Sequence, residues 1–186
     1  MRVDLFSTIH KAIRVALFDL AAELGRLELS STEAVDLAVE QIERVLGFLD
    51  EHAALEEAGV FAAVRDLDPL LAEELAKDHR SLEIVQHEVE RLAHQLAMAD
   101  LASRELLGPR LVIAVNHLIA LHLLHMNREE AEANRVLWSG LDDAALVAIS
   151  KATSERISPP RLAEWHQLVV AATTRHRPLV GSTPVG

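Results

Sequence analysis

In this sequence His52 is followed four residues later by Glu56 in "HAALEE", and His125 likewise by Glu129 in "HMNREE". On a helix, an i, i+4 pair projects both side chains from one face. His10 in "HKAIR" and His79 in "DHRSLE" add single imidazoles. A glutamate can bridge two metal ions through its two oxygens while histidines terminate each ion. Four histidines and two glutamates brought together would therefore make a dinuclear site with open positions. By donor hardness such a set suits iron or manganese, with zinc a further occupant.

These residues interrupt apolar stripes, which is where the elements that must position them come in. Val3, Phe6, His10, Ile13, Leu17, Leu20 and Leu24 alternate in steps of three and four, the stripe of an amphipathic helix. "SSTE" opens a second helix, with Ser30 expected as N-cap and Glu33 completing a capping box. Its stripe is Val35, Ile42, Leu46, Leu49, His52, Glu56 and Val60. "RDLDP" ends that helix and starts a third, Asp68 capping and Pro69 at the first helical position. The third stripe reads Leu75, His79, Leu82, Val89 and Leu96; the fourth reads Leu111, Val115, Leu118, His122, His125, Glu129 and Val136. "LDDAALVAISKATS" and "RLAEWHQLVVAATT" predict two shorter helices. The fold class expected is all-α: an up-down-up-down four-helix bundle over 1–140, a helical extension over 141–175 packed on it, and a flexible tail over 176–186.

In such a bundle, residues equally distant from a connecting turn lie at one height. His52 and Glu56 average position 54, about 13 residues before the turn near 67, and His79 lies about 12 after it, a mismatch of roughly 2 Å. His10 and the His52–Glu56 pair match only loosely, with a mismatch of roughly 12 Å that a few loop residues could partly absorb. For His79 to stand level with His125 and Glu129, the third turn must fall within "ADLASR", between about 99 and 104. Gly108 and Pro109 then lie inside the fourth helix, although "GP" is the more obvious break. With the heights matched, the six residues converge in the core. A buried ionised carboxylate without a partner costs far more than the roughly 1–3 kcal/mol of an unpaired neutral group, so something must compensate them.

Composition narrows the chemistry. With 18 Lys and Arg against 29 Asp and Glu, the chain of 186 residues carries a formal charge of −11, which repels phosphate backbones and anionic membranes. Nucleic acid and membrane are therefore not expected partners. Zero cysteines exclude thiolate metal sites, leaving nitrogen and oxygen donors. The N-terminal "MRVDLFSTIHKAIR" has charge every few residues and reads as neither signal peptide nor membrane span, so a cytoplasmic location is expected.

"HKAIR", "HAALEE", "DHRSLE" and "HMNREE", in this order and spacing, resemble the hemerythrin-like family, the HHE cation-binding domains, over about Val3 to Trp138. "LWSGLDDAALVAI" with its following helix resembles the C-terminal extension of a bacterial subgroup. The resemblance implies two iron ions joined by an oxo or hydroxo bridge. His10 and His52 would terminate one iron, His79 and His125 the other, and Glu56 and Glu129 would bridge. It implies a partner that is dioxygen, nitric oxide or peroxide. Leu55 stands where that subgroup often has a histidine, and Glu83 rather than histidine follows His79 by one turn. The five-histidine pattern of the oxygen carriers is thus missing, which favours redox or peroxide chemistry, sensing or iron handling over reversible oxygen transport.

His122, one turn before His125, is read as a supporting or core residue with ligation the alternative. Glu57 and Glu83 are read as solvated or as orienting an imidazole. His87, His94, His117, His166 and His176 are assigned to solvent or helix joints, Trp138 and Trp165 to packing, and most of "NREEAEANR" apart from Glu129 to a solvated face. Leu168, Val169 and Val170 on the last helix allow a homodimer without excluding a monomer. Two rival functions stay open: a di-iron enzyme decomposing peroxide, though no tyrosine is available as a radical relay, and a metal-free helical interaction protein.

Overall fold

Each apolar stripe becomes a helix in the computed structural model, which describes residues 2–174. In chain order the elements are α1 (Ser7–Leu24), α2 (Thr32–Ala58), α3 (Val60–Leu67), α4 (Pro69–Met98), α5 (Leu101–Arg128), a π-helical turn (Glu129–Ala133), α6 (Asn134–Gly140), α7 (Asp143–Ser154) and α8 (Pro159–Thr174). The fold is all-α, with no strand among the described residues. α1 packs on α2 and α5, and α4 packs on the same two helices. α8 lies along α1, while α7 touches α2 and α3, so the extension packs on the rest of the helices. The tail expected at 176–186, His176 included, lies outside the described residues.

The boundaries follow local chemistry, with two corrections. Ser31, not Ser30, caps α2: its hydroxyl accepts from the backbone N–H of Ala34 at 3.2 Å, so Glu33 falls one position short of a capping box. The second helix also does not run unbroken to "RDLDP". It stops at Gly59 and restarts as α3, because the Gly59 backbone leaves the helical region (φ −124°, ψ −79°). A Cβ at Gly59 would stand 2.5 Å from Thr153 Oγ1, so the missing side chain is also what lets α7 approach. Asp68 caps α4 as expected, accepting from Leu71 N–H at 3.1 Å.

The third turn is Ala99–Asp100, inside the predicted window, and Asp100 caps α5 through Ser103 N–H at 2.8 Å. Gly108 and Pro109 therefore sit within α5. Gly108 is small for a packing reason, since a Cβ there would lie 2.8 Å from Leu29 Cδ1. Leu27 and Leu29 belong to the loop at 25–31 and pack on the core. That loop takes up the height offset between α1 and α2. His10 is 14 residues from the end of α1 and His52 is 20 from the start of α2, a difference worth about 9 Å at 1.5 Å per residue.

The buried apolar residues form two clusters. One contains Ile13, Leu17, Leu49, Val89, Leu118 and Met126. The other contains Phe6, Val60, Phe61, Leu75, Ala133 and Val136. On the site-bearing helices the chain passes from one cluster to the other through the same few residues: His10 between Phe6 and Ile13, His52 and Glu56 between Leu49 and Val60, His79 between Leu75 and Val89, and Glu129 between Met126 and Ala133. A polar layer thus lies sandwiched between two apolar ones, whose burial is worth about 1.5–3 kcal/mol per large apolar side chain.

The extension is tied down by specific contacts. Trp165 packs edge-on against Phe48, with ring centroids 4.6 Å apart, and its indole N–H donates to Glu51 at 2.6 Å. Trp138 Nε1–H donates to the carbonyl of Val3 at 2.7 Å. Leu168 packs on the core, Val169 is half-buried, and Val170 is exposed. The helical run Leu101–Gly140 is long and apolar enough to cross a membrane by length and composition, with 33% of its most apolar window buried.

Candidate metal centre

All six predicted residues meet. Their donor atoms fall into two groups whose members lie within 4.8 Å of one another, His10, His52, Glu56 and Glu129 in one, and Glu56, His79, His125 and Glu129 in the other. Both glutamates belong to both groups, and their oxygens divide between them. Glu56 turns Oε1 to His52 Nε2 (3.2 Å) and His10 Nε2 (3.6 Å), and Oε2 to His79 Nε2 (3.5 Å). Glu129 turns Oε2 to His10 Nε2 (3.3 Å) and Oε1 to His125 Nε2 (3.3 Å). Two donors each roughly 2.1 Å from one ion are roughly 3.0 Å apart at a right angle and roughly 3.4 Å apart at the tetrahedral angle. The observed spacings are those of donors around a shared cation.

What these atoms lack is as informative. Both oxygens of Glu56 and both of Glu129 are buried without a hydrogen-bond donor, as are the Nε2 atoms of His10 and His52. Glu129 is 0% exposed. Buried carboxylates are ordinarily hydrogen-bonded, so these orphaned oxygens fit a cationic ligand that a protein donor does not replace. His79 and His125 make the same point, their Nε2 atoms facing each other at 2.9 Å. The Nδ1–H of His79 donates to Glu57 Oε1 at 3.0 Å, which leaves its Nε2 with a lone pair. Either the Nε2–H of His125 donates to that lone pair or a cation lies between the two nitrogens.

Electrostatics bind the cluster together even without a metal. Burial would lower the His10 pKa, but the carboxylates of Glu129, Glu130 and Glu56 overcome it and hold the imidazole well above its usual range. Burial would likewise raise Glu56, and the imidazoles of His52, His10 and His79 outweigh it, keeping the carboxyl well below its usual range. His52 is lowered by burial. His79 is raised: burial opposes this, and Glu56 and Glu57 prevail.

A ring of carboxylates orients the imidazoles from behind. Glu130 Oε1 accepts from His10 Nδ1–H at 2.9 Å and is held by Arg14 Nη1 at 2.7 Å. Asp78 Oδ2 stands 3.6 Å from His125 Nδ1 and is paired with Arg128 at 2.9 Å. With Glu57 on His79, three of the four imidazoles have a carboxylate behind them, and for His10 and His79 that carboxylate accepts the hydrogen bond that fixes the tautomer and raises basicity. Glu57 was among the expected orienting residues. Glu130, Asp78, Arg14 and Arg128 were not, and "NREEAEANR" is corrected accordingly: Arg128, Glu130 and Asn134 are engaged, Asn134 Nδ2–H donating to Asp4 at 3.2 Å. The π turn carries the change. Inserted at Glu129–Ala133, it begins at the shared Glu129, while the next residue, Glu130, reaches the opposite side of His10; such bulges are frequent at functional positions.

Of the other histidines, His87, His94, His117 and His166 are exposed as expected. His122 is buried, with its Nε2 unpartnered, and burial followed by the neighbouring His125 pushes its pKa down to about 3. It belongs to neither donor group. Glu83 is exposed and belongs to neither.

Two cavities reach the donors. A polar one of about 500 Å³ runs between α2 and α4 to His52, His79, His122 and His125. Burial, with Glu90 and Glu83 nearby, keeps the Asp50 carboxyl in its wall above the usual range. An apolar one of about 790 Å³ lies beneath α7 and α8 and reaches His52 and Glu56 past Leu5, Ile9, Leu55 and Trp165. Among known proteins, no family model, no curated sequence and no solved structure matches this chain.

Proposed function

We propose that the chain is a hemerythrin-like up-down-up-down four-helix bundle with a C-terminal extension, holding a non-haem di-iron centre that binds or senses dioxygen, nitric oxide or peroxide, or handles iron. The observation that carries this reading is the division of the Glu56 and Glu129 oxygens between two histidine groups, with no protein donor to any of the four. A mononuclear site would need neither the second group nor two shared carboxylates. Manganese and zinc are the other ions this nitrogen and oxygen set takes.

Bound there, a pair of irons would supply a redox couple and coordination positions for a small molecule. The protein's own part is to fix the geometry: Glu57 and Glu130 hold two imidazoles in one tautomer and orientation, Asp78 places a negative charge behind a third, and the two apolar clusters flank the carboxylates. The apolar cavity gives an uncharged diatomic a path to His52 and Glu56. In keeping with the charge of −11, the partners proposed are small molecules rather than nucleic acid or membrane, the protein acting in the cytoplasm as a monomer or homodimer.

A second reading, an enzyme that decomposes peroxide, is favoured by the polar cavity, which suits a polar substrate and ends on three of the candidate ligands. Peroxide turnover by the iron-loaded protein separates it from sensing. The first test is elemental analysis of protein purified without chelator or affinity metal, with an absorption spectrum in air. About two irons per chain with near-ultraviolet bands of a bridged ferric pair is the expected result. No metal, even after anaerobic iron addition, refutes the reading in favour of a metal-free interaction bundle.

A further inference from the structure

The polar cavity differs from the apolar one in what stands along it. Its mouth is lined by Glu43, Asp50, Glu83 and Glu90, carboxylates that outnumber the single guanidinium, Arg80, in its wall. Its buried end is made of imidazoles, and three of them, His52, His79 and His125, belong to the two donor groups. The fourth is His122, 4% exposed, with an Nε2 that meets no hydrogen-bond partner. A buried polar atom left without a partner calls for an explanation, and packing alone does not supply one.

A divalent cation moving from water into this core must shed its hydration shell, and each water it loses has to be replaced by a protein donor. Carboxylates at a cavity mouth raise the local cation concentration and the encounter rate in a salt-dependent way. An imidazole beside the final ligands then lowers the barrier to the last dehydration step. The apolar cavity, walled by Leu5, Ile9 and Leu55, has no carboxylate in its lining apart from Glu56 itself. We infer that the polar cavity between α2 and α4 is the loading route for divalent metal, with Glu83 and Glu90 gathering the ion and His122 passing it to the donor groups as a transit ligand. This rests on the reading that the two groups bind metal.

The test uses full-length protein stripped with chelator and mixed anaerobically with Co2+ alone, following its visible absorption bands by stopped flow and the final stoichiometry by elemental analysis. Glu83→Gln with Glu90→Gln should load several-fold slower at low ionic strength, a difference that high salt abolishes. His122→Leu should load several-fold slower at any ionic strength, and still reach the wild-type stoichiometry and spectrum. Wild-type rates in both variants overturn the inference while leaving the metal site standing. A lowered plateau in His122→Leu also overturns it, by making His122 a resident ligand. If wild-type protein takes up no Co2+, the metal reading itself falls. Should His122→Leu fail to fold, the exposed Glu83 and Glu90 pair decides the matter by the same criteria.

Discussion

Replacing Glu129 by glutamine should leave the metal-free protein almost as stable as wild type and remove its response to metal. Glu129 is 0% exposed, with Oε1 3.3 Å from His125 Nε2 and Oε2 3.3 Å from His10 Nε2. Glutamine has the same shape. Its amide N–H can donate to one imidazole and its oxygen can accept from the other, so in chelator the substitution loses an ion pair with His10 but also removes a buried charge. These terms oppose each other, and the net change should stay within about 1–2 kcal/mol. Metal loading is different, because an amide cannot bridge two cations as a carboxylate does. For each ion present at 100 times its Kd, binding to the folded state alone adds about 2.7 kcal/mol, so two ions add about 5.4 kcal/mol. In a chain of this length that corresponds to roughly 10–20 °C in Tm. Thermal unfolding with and without Fe2+ under anaerobic conditions should show that shift for wild type and at most a few degrees for Glu129→Gln, with metal content falling in parallel. An undiminished metal-induced shift in the variant would refute the bridging role. Strong destabilisation of the variant in chelator would show instead that the carboxylate is a structural ion-pair partner.

Two further outcomes follow from the surroundings of the donors. Asp78→Asn and Glu57→Gln should keep the fold and weaken metal binding about 10–100-fold, since each removes the charge behind one imidazole; competition against a chelator of known affinity measures it, and unchanged affinity would sink the orienting role. His122, with its folded pKa near 3 against about 6.5 unfolded, binds its proton only in the unfolded chain between those values, so the metal-free protein loses stability as pH falls from about 6.5 towards 3, by at most about 5 kcal/mol from this residue. His122→Leu should flatten that acid limb in urea titrations at a series of pH values; an identical limb would show that His122 is not the group responsible.

The candidate site was legible for a physical reason. A helix stripe that turns polar at one height on each of four helices cannot be buried without compensation, and His10, His52, Glu56, His79, His125 and Glu129 are those positions. The turn at Ala99–Asp100 was legible by the same logic, because only that length brings His79 level with His125, and the "GP" pair yields to it. Glu130, Asp78, Arg14 and Arg128 were not legible. They sit off the apolar stripes, where a charged residue looks like any solvated one, and their roles depend on which neighbouring helix each meets.

By itself the sequence determined the helices, their inward faces, the donor types and the absence of thiolate. Periodicity and composition are properties of neighbouring residues along the chain, so they are readable from it. Only the tertiary structure decided that each glutamate divides its oxygens between two histidine groups, that a π turn starting at Glu129 sends Glu130 behind His10, that Gly59 breaks the second helix to admit α7, and that His122 faces a cavity without a partner. These depend on distances between segments far apart in sequence, set by packing two apolar clusters around a polar layer, and no local pattern encodes them.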